Sequence, residues 1–287
     1  MVKDKSPMKP YLKWAGGKRQ LLPEIEKNLP PDMAAYTYYE PFVGAGAVLF
    51  HLRPRKAVIN DSNTQLIMTY RAVKDHVDTL VKLLDGHRRK NSEAYYYQIR
   101  DLDRNAETFK ALGDVEKAAR LIFLNKTCYN GLYRVNSRGL FNVPYGKYRN
   151  PVICEEAVLR RISAYLNAGD VTILNRDFEA ALSGAGRHSF IYFDPPYHSP
   201  DKSNFTGYQA GGFGEDEQRR LRDLFARMTE EGAECILSNA DTEFIRDLYR
   251  DFEVVPVRAK RAINSDASGR GFVNEILVMN RAINRRD

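Results

Sequence analysis

Four consecutive residues stand out for the chemistry they could support: Asp194-Pro195-Pro196-Tyr197, directly after the apolar run Phe190–Phe193. A short apolar run bounded by a turn reads as a buried strand. In an open α/β sheet the carboxyl ends of the strands line the ligand crevice. Proline fixes φ and has no N–H, so two in a row stiffen the chain and present carbonyls that only accept. A carboxylate beside such carbonyls makes an acceptor-only pocket suited to an amino group, and Tyr197 adds a flat face for stacking. The plainer reading, a proline-rich turn that merely ends a strand, leaves the acid before the prolines and the aromatic after them without a reason.

A second set lies nearer the N-terminus. Glu40-Pro41-Phe42-Val43-Gly44-Ala45-Gly46 follows the β-prone stretch Tyr36–Glu40. A glycine turn after a first strand lets backbone approach a cofactor closely. Asp61 ends the next short strand, Ala57–Asn60, 21 positions after Glu40, where an acid binds ribose hydroxyls. The third glycine of the dinucleotide fingerprint is missing, which disfavours NAD and leaves a nucleoside cofactor without a pyrophosphate. Leu12-Lys13-Trp14-Ala15-Gly16-Gly17-Lys18 holds the single tryptophan of the chain. Arg19 stands where a phosphate loop needs Ser or Thr, so an ATPase is disfavoured. A lysine and a tryptophan near a strand-end crevice could grip a carboxylate and cover an aromatic ring. A helix start with a core tryptophan explains the same residues equally well.

Charge adds a third feature. The 287 residues carry 44 Lys and Arg against 37 Asp and Glu, a net +7. From Lys117 to Cys154 there is no acid, and the basic residues there (Lys117, Arg120, Lys126, Arg134, Arg138, Lys147 and Arg149) equal the whole surplus. Phe123, Tyr129, Tyr133, Phe141, Tyr145 and Tyr148 interleave with them. Localised basic charge with aromatics reads as a nucleic-acid footprint rather than a merely solvated face.

The elements that must position these residues follow an α/β rhythm. Strands are expected at Tyr36–Glu40, Ala57–Asn60, Val171–Leu174, Phe190–Phe193, Cys235–Ser238, Phe252–Val257 and Phe272–Met279. Leu66, Tyr70, Val73, Val77, Leu80 and Leu84 step by four and three, the mark of an amphipathic helix. Further helices are expected over about 215–231, with Leu221, Leu224, Phe225 and Met228 on one face, and over Thr242–Arg250. Residues 86–116 read as mostly helical. Leu132–Val135 and Leu140–Val143 flank Asn136-Ser137-Arg138-Gly139, a good hairpin loop. The alternation argues for a doubly wound sheet, interrupted by an insertion at 67–154. Two loops are candidate accessories: Ser203–Gly214, with Phe205 and Tyr208, as a lid, and Arg258–Gly271 as a phosphate clamp. A mobile surface loop accounts for each nearly as well.

Other classes are set aside. Three distant cysteines without a CxxC pair disfavour a disulfide framework or a zinc-thiolate site. The five histidines lack metal-binding spacing. No apolar run reaches the length of a membrane span, and Met1–Pro10 lacks a secretory apolar core. A cytoplasmic protein is expected, nucleoid-associated where the basic footprint meets DNA.

Together and in this order, these pieces resemble the adenine-N6 DNA methyltransferases of the Dam family, with the nearest likeness to the adenine methylases of GATC-specific restriction–modification systems. The likeness runs along nearly the whole chain. It rests on LKWAGGK at 12–18, EPFVGAG at 40–46, IND at 59–61, NGLYRVN at 130–136, FNVPYGKY at 141–148, DPPY at 194–197 and NFT at 204–206. It implies a Rossmann-like class I methyltransferase sheet with helices on both faces. The catalytic domain would comprise 1–66 and 155–287, and a mostly helical target-recognition domain carrying a β-hairpin would occupy 67–154.

The resemblance implies S-adenosylmethionine as cofactor, S-adenosylhomocysteine as product, double-stranded DNA as partner, no metal, no membrane and a monomer. Asp194, Pro195, Pro196 and Tyr197 become catalytic. Cofactor positions are Trp14, Ala15, Gly16, Gly17 and Lys18, then Glu40, Pro41, Phe42, Gly44 and Gly46. Asp61 belongs on the ribose, Asp177 and Phe178 beside the cofactor adenine, and Asp194 borders both partners. Arg134 matches the position that reads the first guanine of GATC, with Leu132 and Pro144 beside neighbouring bases. Tyr129 and Asn130 match positions that hold the site open or touch phosphate, and Asn136 and Arg138 share their hairpin. Lys126 and Lys147 stand where close relatives often carry Arg. Both keep the charge but lose the bidentate fork, which assigns them to phosphates.

The implied reaction moves a methyl group to the exocyclic N6 of an adenine rotated out of the duplex. Asp194 and the Pro195 carbonyl would each accept one N6 hydrogen, favouring a pyramidal nitrogen and direct in-line transfer without a covalent enzyme intermediate. Two rivals stand beside it. One is a sequence-specific DNA-binding regulator with an inactive methylase domain, which has no need of DPPY. The other is a methyltransferase acting on RNA or a protein amide, which often carries Asn before Pro-Pro-Tyr and gives no reason for the 130–136 hairpin.

Overall fold

The computed structural model describes residues 8–14, 18, 20–199, 212–260 and 272–280. In chain order they form α1 (Leu22–Lys27), β1 (Thr37–Glu40), α2 (Ala47–Leu52), β2 (Lys56–Asn60), α3 (Thr64–Asp75), α4 (Val77–Lys90), α5 (Glu93–Asp101), α6 (Ala106–Ala111), α7 (Asp114–Thr127), α8 (Glu156–Ala168), β3 (Asp170–Leu174), β4 (Ser189–Phe193), α9 (Glu215–Glu230), β5 (Glu234–Ala240), α10 (Glu243–Leu248), β6 (Glu253–Lys260) and β7 (Phe272–Met279). The strands make one sheet in the order β3-β2-β1-β4-β5-β7-β6. The first five are parallel, and β7 runs antiparallel to both β5 and β6. This is the Rossmann-like class I methyltransferase sheet that the resemblance implies.

Both faces of the sheet are covered, and the strand period of two sorts the side chains between them. Tyr38, Phe190 and Tyr192 join one apolar cluster, while Tyr39, Ile191 and Phe193 join the other. The second is closed by Leu221, Leu224, Phe225 and Met228 of α9. Every residue of β4 is buried, as expected of a central parallel strand. Glu215, Asp216 and Glu217 in the first turn of α9 complement its dipole.

The chain between β2 and β3 packs on one face. Tyr70 of α3, Leu80 of α4, Tyr96 of α5 and Leu121 of α7 share a cluster with Tyr38 of the sheet. The apolar stripe from Leu66 to Leu84 is split at His76, which leaves helical geometry and ends α3. α3 itself runs across residue 67. α7 is buried all round from Ala118 to Thr127, so the acid-free segment begins inside the core. Its Arg120 pairs with Asp103 at 2.8 Å and its Lys126 with Glu155 at 2.9 Å. Charges segregated along the sequence are thus partly neutralised in space, and a footprint built from all seven basic residues is corrected. Arg134, Arg138, Lys147 and Arg149 are the exposed ones.

The loop expected at 136–139 forms, with Gly139 N–H donating to Asn136 O at 2.9 Å. Its arms meet through the isolated bridge Val135–Phe141 rather than through strands. Asn136 Oδ1 accepts from the Arg138 and Leu140 N–H groups, so a side chain takes part of the pairing that a strand ladder would use.

Candidate functional site

The strand order reverses between β1 and β4, which pair in parallel. Loops leaving their carboxyl ends diverge there and open a crevice. Glu40-Pro41-Phe42 leaves β1 on one side and Asp194-Pro195-Pro196-Tyr197 leaves β4 on the other.

Asp194 is held from two directions. Lys18 Nζ lies 2.7 Å from its Oδ1, with side-chain exposures of 6% and 21%. Ser238 Oγ, at the end of β5, donates to the same oxygen at 3.0 Å, and the Tyr192 hydroxyl lies 2.9 Å from Ser238 Oγ. Burial pushes the Asp194 carboxyl above its ordinary range, and Lys18 and Ser238 pull part of that back. Burial pulls the Lys18 ammonium down, but Asp194, Tyr192 and Glu275 together outweigh it and the net shift is upward.

Lys18 also donates to the Tyr197 hydroxyl at 2.8 Å, and Tyr197 donates to Glu275 Oε2 of β7 at 3.1 Å. The ring is fixed at its far end, and the Lys18 ammonium sits over it, 4.1 Å from the centroid. The second proline is held too: Gln218 Nε2 of α9 donates to Pro196 O at 2.9 Å. Asn239 of β5 donates to Gln218 Oε1 at 3.0 Å and accepts from the His198 N–H at 3.0 Å.

On the β1 side, Gly44 and Gly46 take φ of +50 and +73, which only glycine adopts freely. A Cβ on Gly44 would stand 3.1 Å from the Trp14 ring, and one on Gly46 would stand 2.6 Å from the Tyr70 hydroxyl. Tyr70 donates to Gly44 O at 2.9 Å. Asp61, ending β2, accepts from the Gly44 N–H at 3.1 Å and the Asn63 N–H at 2.9 Å. Burial pushes its carboxyl up to about 6. Asn60 bonds both Pro41 O and Arg176 O at 3.0 Å, tying the β1 loop to the segment before Asp177. Glu40 is buried beneath the loop and accepts from the Tyr38 hydroxyl at 2.8 Å. Burial drives its carboxyl well up, which favours the neutral acid.

These residues fit a nucleoside cofactor. Asp61 offers a carboxylate at a strand end, glycine backbone lines the approach, and an apolar wall stands ready. Phe42 and Phe178 stack at 5.2 Å between centroids, with Phe213 edge-on to Phe42 at 5.7 Å. Asp177 is ion-paired with Arg220, whose guanidinium lies 4.5 Å over the Phe178 ring. Trp14 stacks on Tyr133 at 5.1 Å, so the ring beside Gly44 touches the 130–136 segment. Ala15, Gly16 and Gly17 lie outside the described residues, as do Phe205, Tyr208, the NFT triplet and most of the loop before β7.

The expected DNA-facing residues gather at a second surface. Tyr129 is half exposed, and its N–H donates to Pro144 O at 2.9 Å, which sets those two side by side. Asn130 adopts φ +54 and Lys147 φ +53, and both are exposed with Arg138 and Pro144. Leu132 is half buried. Arg134 is exposed and braced by Asn142 Oδ1 at 2.8 Å. Asn136 shapes the loop. Lys126 departs from expectation: it is buried against Glu155, which Lys9 also joins. A phosphate contact would strip that carboxylate of a buried partner.

Ser238, Asn239, Gln218 and Glu275 are site residues that the motifs did not single out, and Asn60 lay inside the IND motif without a role of its own. Gln218 left a signal, because it falls three residues before Leu221 on the buried stripe of α9. Ser238-Asn239 left another, as a polar pair ending an apolar strand. Glu275 left none.

Residues 14–263 match the family model described as D12 class N6 adenine-specific DNA methyltransferase. The chain is 43% identical over 281 residues, 98% of each sequence, to the Type II methyltransferase M1.LlaDCHI of Lactococcus lactis subsp. cremoris. It is 42% identical to the Type II methyltransferase M.MjaIII of Methanocaldococcus jannaschii, covering 95% of this chain and 99% of the other. It is 32% identical to the DNA adenine methylase of Escherichia coli K12, covering 94% of each.

Proposed function

Because the chain belongs to the D12 class of N6 adenine-specific DNA methyltransferases, we propose that it methylates N6 of an adenine rotated out of double-stranded DNA, within GATC, using S-adenosylmethionine. The observation that carries this reading is the Lys18–Asp194–Tyr197 cluster at the tip of β4, beside the glycine loop after β1. Family membership favours an enzyme over an inactive regulator, and Asp194 in place of Asn favours adenine over an amide.

Trp14, Lys18, Phe42, Gly44, Gly46, Asp61 and Phe178 would hold the cofactor, with Asp61 accepting from the ribose hydroxyls and Phe42 and Phe178 walling the adenine. S-adenosylmethionine, when bound, supplies an electrophilic methyl. The adenine amino group is a poor nucleophile because its lone pair is delocalised into the ring. Asp194 Oδ2 accepts one N6 hydrogen and Pro195 O the other, which turns the lone pair out of the ring plane. Positive charge then builds on N6 beside the carboxylate, and the departing proton leaves along the Asp194 bond. Holding two reactants in line supplies on the order of 7–11 kcal/mol, whereas a hydrogen bond to a charged group supplies roughly 1.5–3 kcal/mol. Positioning dominates, and Tyr197 contributes by stacking on the extruded base.

Residues 67–154 act as the target-recognition part. Arg134 reads the first guanine, Leu132 and Pro144 touch neighbouring bases, Tyr129 and Asn130 keep the duplex open, and Arg138 and Lys147 bind phosphate. Exposure of all of these except the half-buried Leu132, on adjoining segments, supports the assignment. Labelled cofactor incubated with GATC duplex, and with duplexes altered at each base, tests both chemistry and site. Label equal on all duplexes refutes GATC, and no label on any DNA refutes the reaction.

A further inference from the structure

The Asp194–Tyr197 turn presents four acceptors to an amino group: two carboxylate oxygens and the carbonyls of two prolines. The protein removes two of them. Lys18 and Ser238 both converge on Asp194 Oδ1, and Gln218 occupies Pro196 O. Among the described residues no donor reaches Asp194 Oδ2 or Pro195 O.

Gln218 is an unusual residue for its place. It is fully buried on α9, in line with Leu221, Phe225 and Met228. A buried amide there is destabilising unless it is bonded. Gln218 is bonded at both ends, giving its N–H to Pro196 and receiving one from Asn239. Asn239 in turn fixes the His198 N–H. The turn is therefore pinned at Asp194, Pro196 and His198. Between the first two pins hangs the Pro195 carbonyl. The Pro196 ring locks its own φ, so fixing Pro196 O also limits where Pro195 O can point.

We propose that Gln218 is a positioning residue for methyl transfer: by occupying Pro196 O it leaves Pro195 O as the second acceptor and fixes its direction towards the adenine amino group. The inference rests on the reading of Asp194 and Pro195 given above. Gln218 touches neither substrate. Its effect falls on the one step that needs the amino group aligned, and not on cofactor binding or base extrusion.

The test compares native protein, Gln218→Leu and Gln218→Glu on a GATC duplex. Gln218→Leu is expected to lower kcat roughly tenfold to a hundredfold, the scale of a small misplacement of reacting groups. KM for DNA and for the cofactor stay within twofold. Extrusion, read by fluorescence of 2-aminopurine at the target position, stays native because that base has no 6-amino group. An unchanged kcat overturns the proposal, and so does a loss matched by an equal loss of extrusion or cofactor affinity. Gln218→Glu keeps the volume should the leucine variant not fold. A neutral carboxylic acid can donate to Pro196 O and a carboxylate cannot, so the variant-to-native ratio of kcat should fall as pH rises. A ratio that stays near one while the acid is neutral keeps the proposal, and a ratio that rises with pH overturns it. Asp194→Ala in the same assay separates the two levels: full activity there sinks the reading of the site itself, whereas an unaffected Gln218→Leu sinks only the clamp.

Discussion

Lys18 Nζ stands 2.7 Å from Asp194 Oδ1, in a pocket where both side chains are largely withdrawn from water. The same ammonium reaches the Tyr197 hydroxyl. One buried cation thereby sets the position of both the carboxylate and the ring at the tip of β4.

Replacing Lys18 with Met leaves Asp194 buried without its counter-charge. Breaking a buried pair in this way costs about 3–5 kcal/mol, to be read as a fall in denaturation midpoint. Lys18 also lowers the Asp194 pKa. Its loss raises that pKa further, so the acidic limb of the kcat profile moves to higher pH. An unmoved limb would detach Lys18 from the reaction.

Asp194→Ala should abolish methyl transfer while DNA affinity survives in a filter or anisotropy assay. Asp194→Asn keeps an acceptor but loses the charge, and a fall of roughly 10²–10³ in kcat is expected. Strong residual activity in the alanine variant removes Asp194 from its role.

Arg134→Ala should relax recognition at the first base by about 1–3 kcal/mol, measured as the ratio of kcat/KM on GATC and on duplexes altered there. A uniform loss on every duplex would make Arg134 a phosphate contact.

Gly46→Ala places a methyl at φ +73, 2.6 Å from the Tyr70 hydroxyl. Strained backbone of this kind costs about 1–3 kcal/mol. Displacing Tyr70 also breaks its bond to Gly44 O, so cofactor affinity by calorimetry should fall along with the melting temperature.

Asp61 has its carboxyl raised to about 6 by burial, so the folded chain takes up this proton at a higher pH than the unfolded chain. Its ionised form is a cost to the unliganded fold that is complete above about pH 6 and relieved as pH falls towards the unfolded value. The native protein should therefore gain stability relative to Asp61→Asn as pH falls over that window, read by denaturant titration without cofactor. A difference constant with pH would remove the shift. Cofactor affinity of the native protein should move the other way and weaken as pH falls through about 6, because the neutral acid accepts hydroxyl donors less well.

The sequence by itself determined the features whose physics is local. The buried run before Asp194 and the paired prolines fix a strand tip whatever surrounds them. The glycines after Glu40 take a backbone other residues resist, and Asp61 closes its own strand. Alternation of strands and helices was enough for the sheet class. Tertiary structure decided what depends on partners far along the chain. Arg120 and Lys126 look like members of a basic surface until Asp103 and Glu155 meet them in the core, because desolvation drives a buried charge to a counter-charge wherever the fold supplies one. Ser238, Gln218 and Glu275 come to the turn from β5, α9 and β7. Sheet order sets that meeting, and sheet order is a sum of long-range packing choices that no short stretch of sequence encodes.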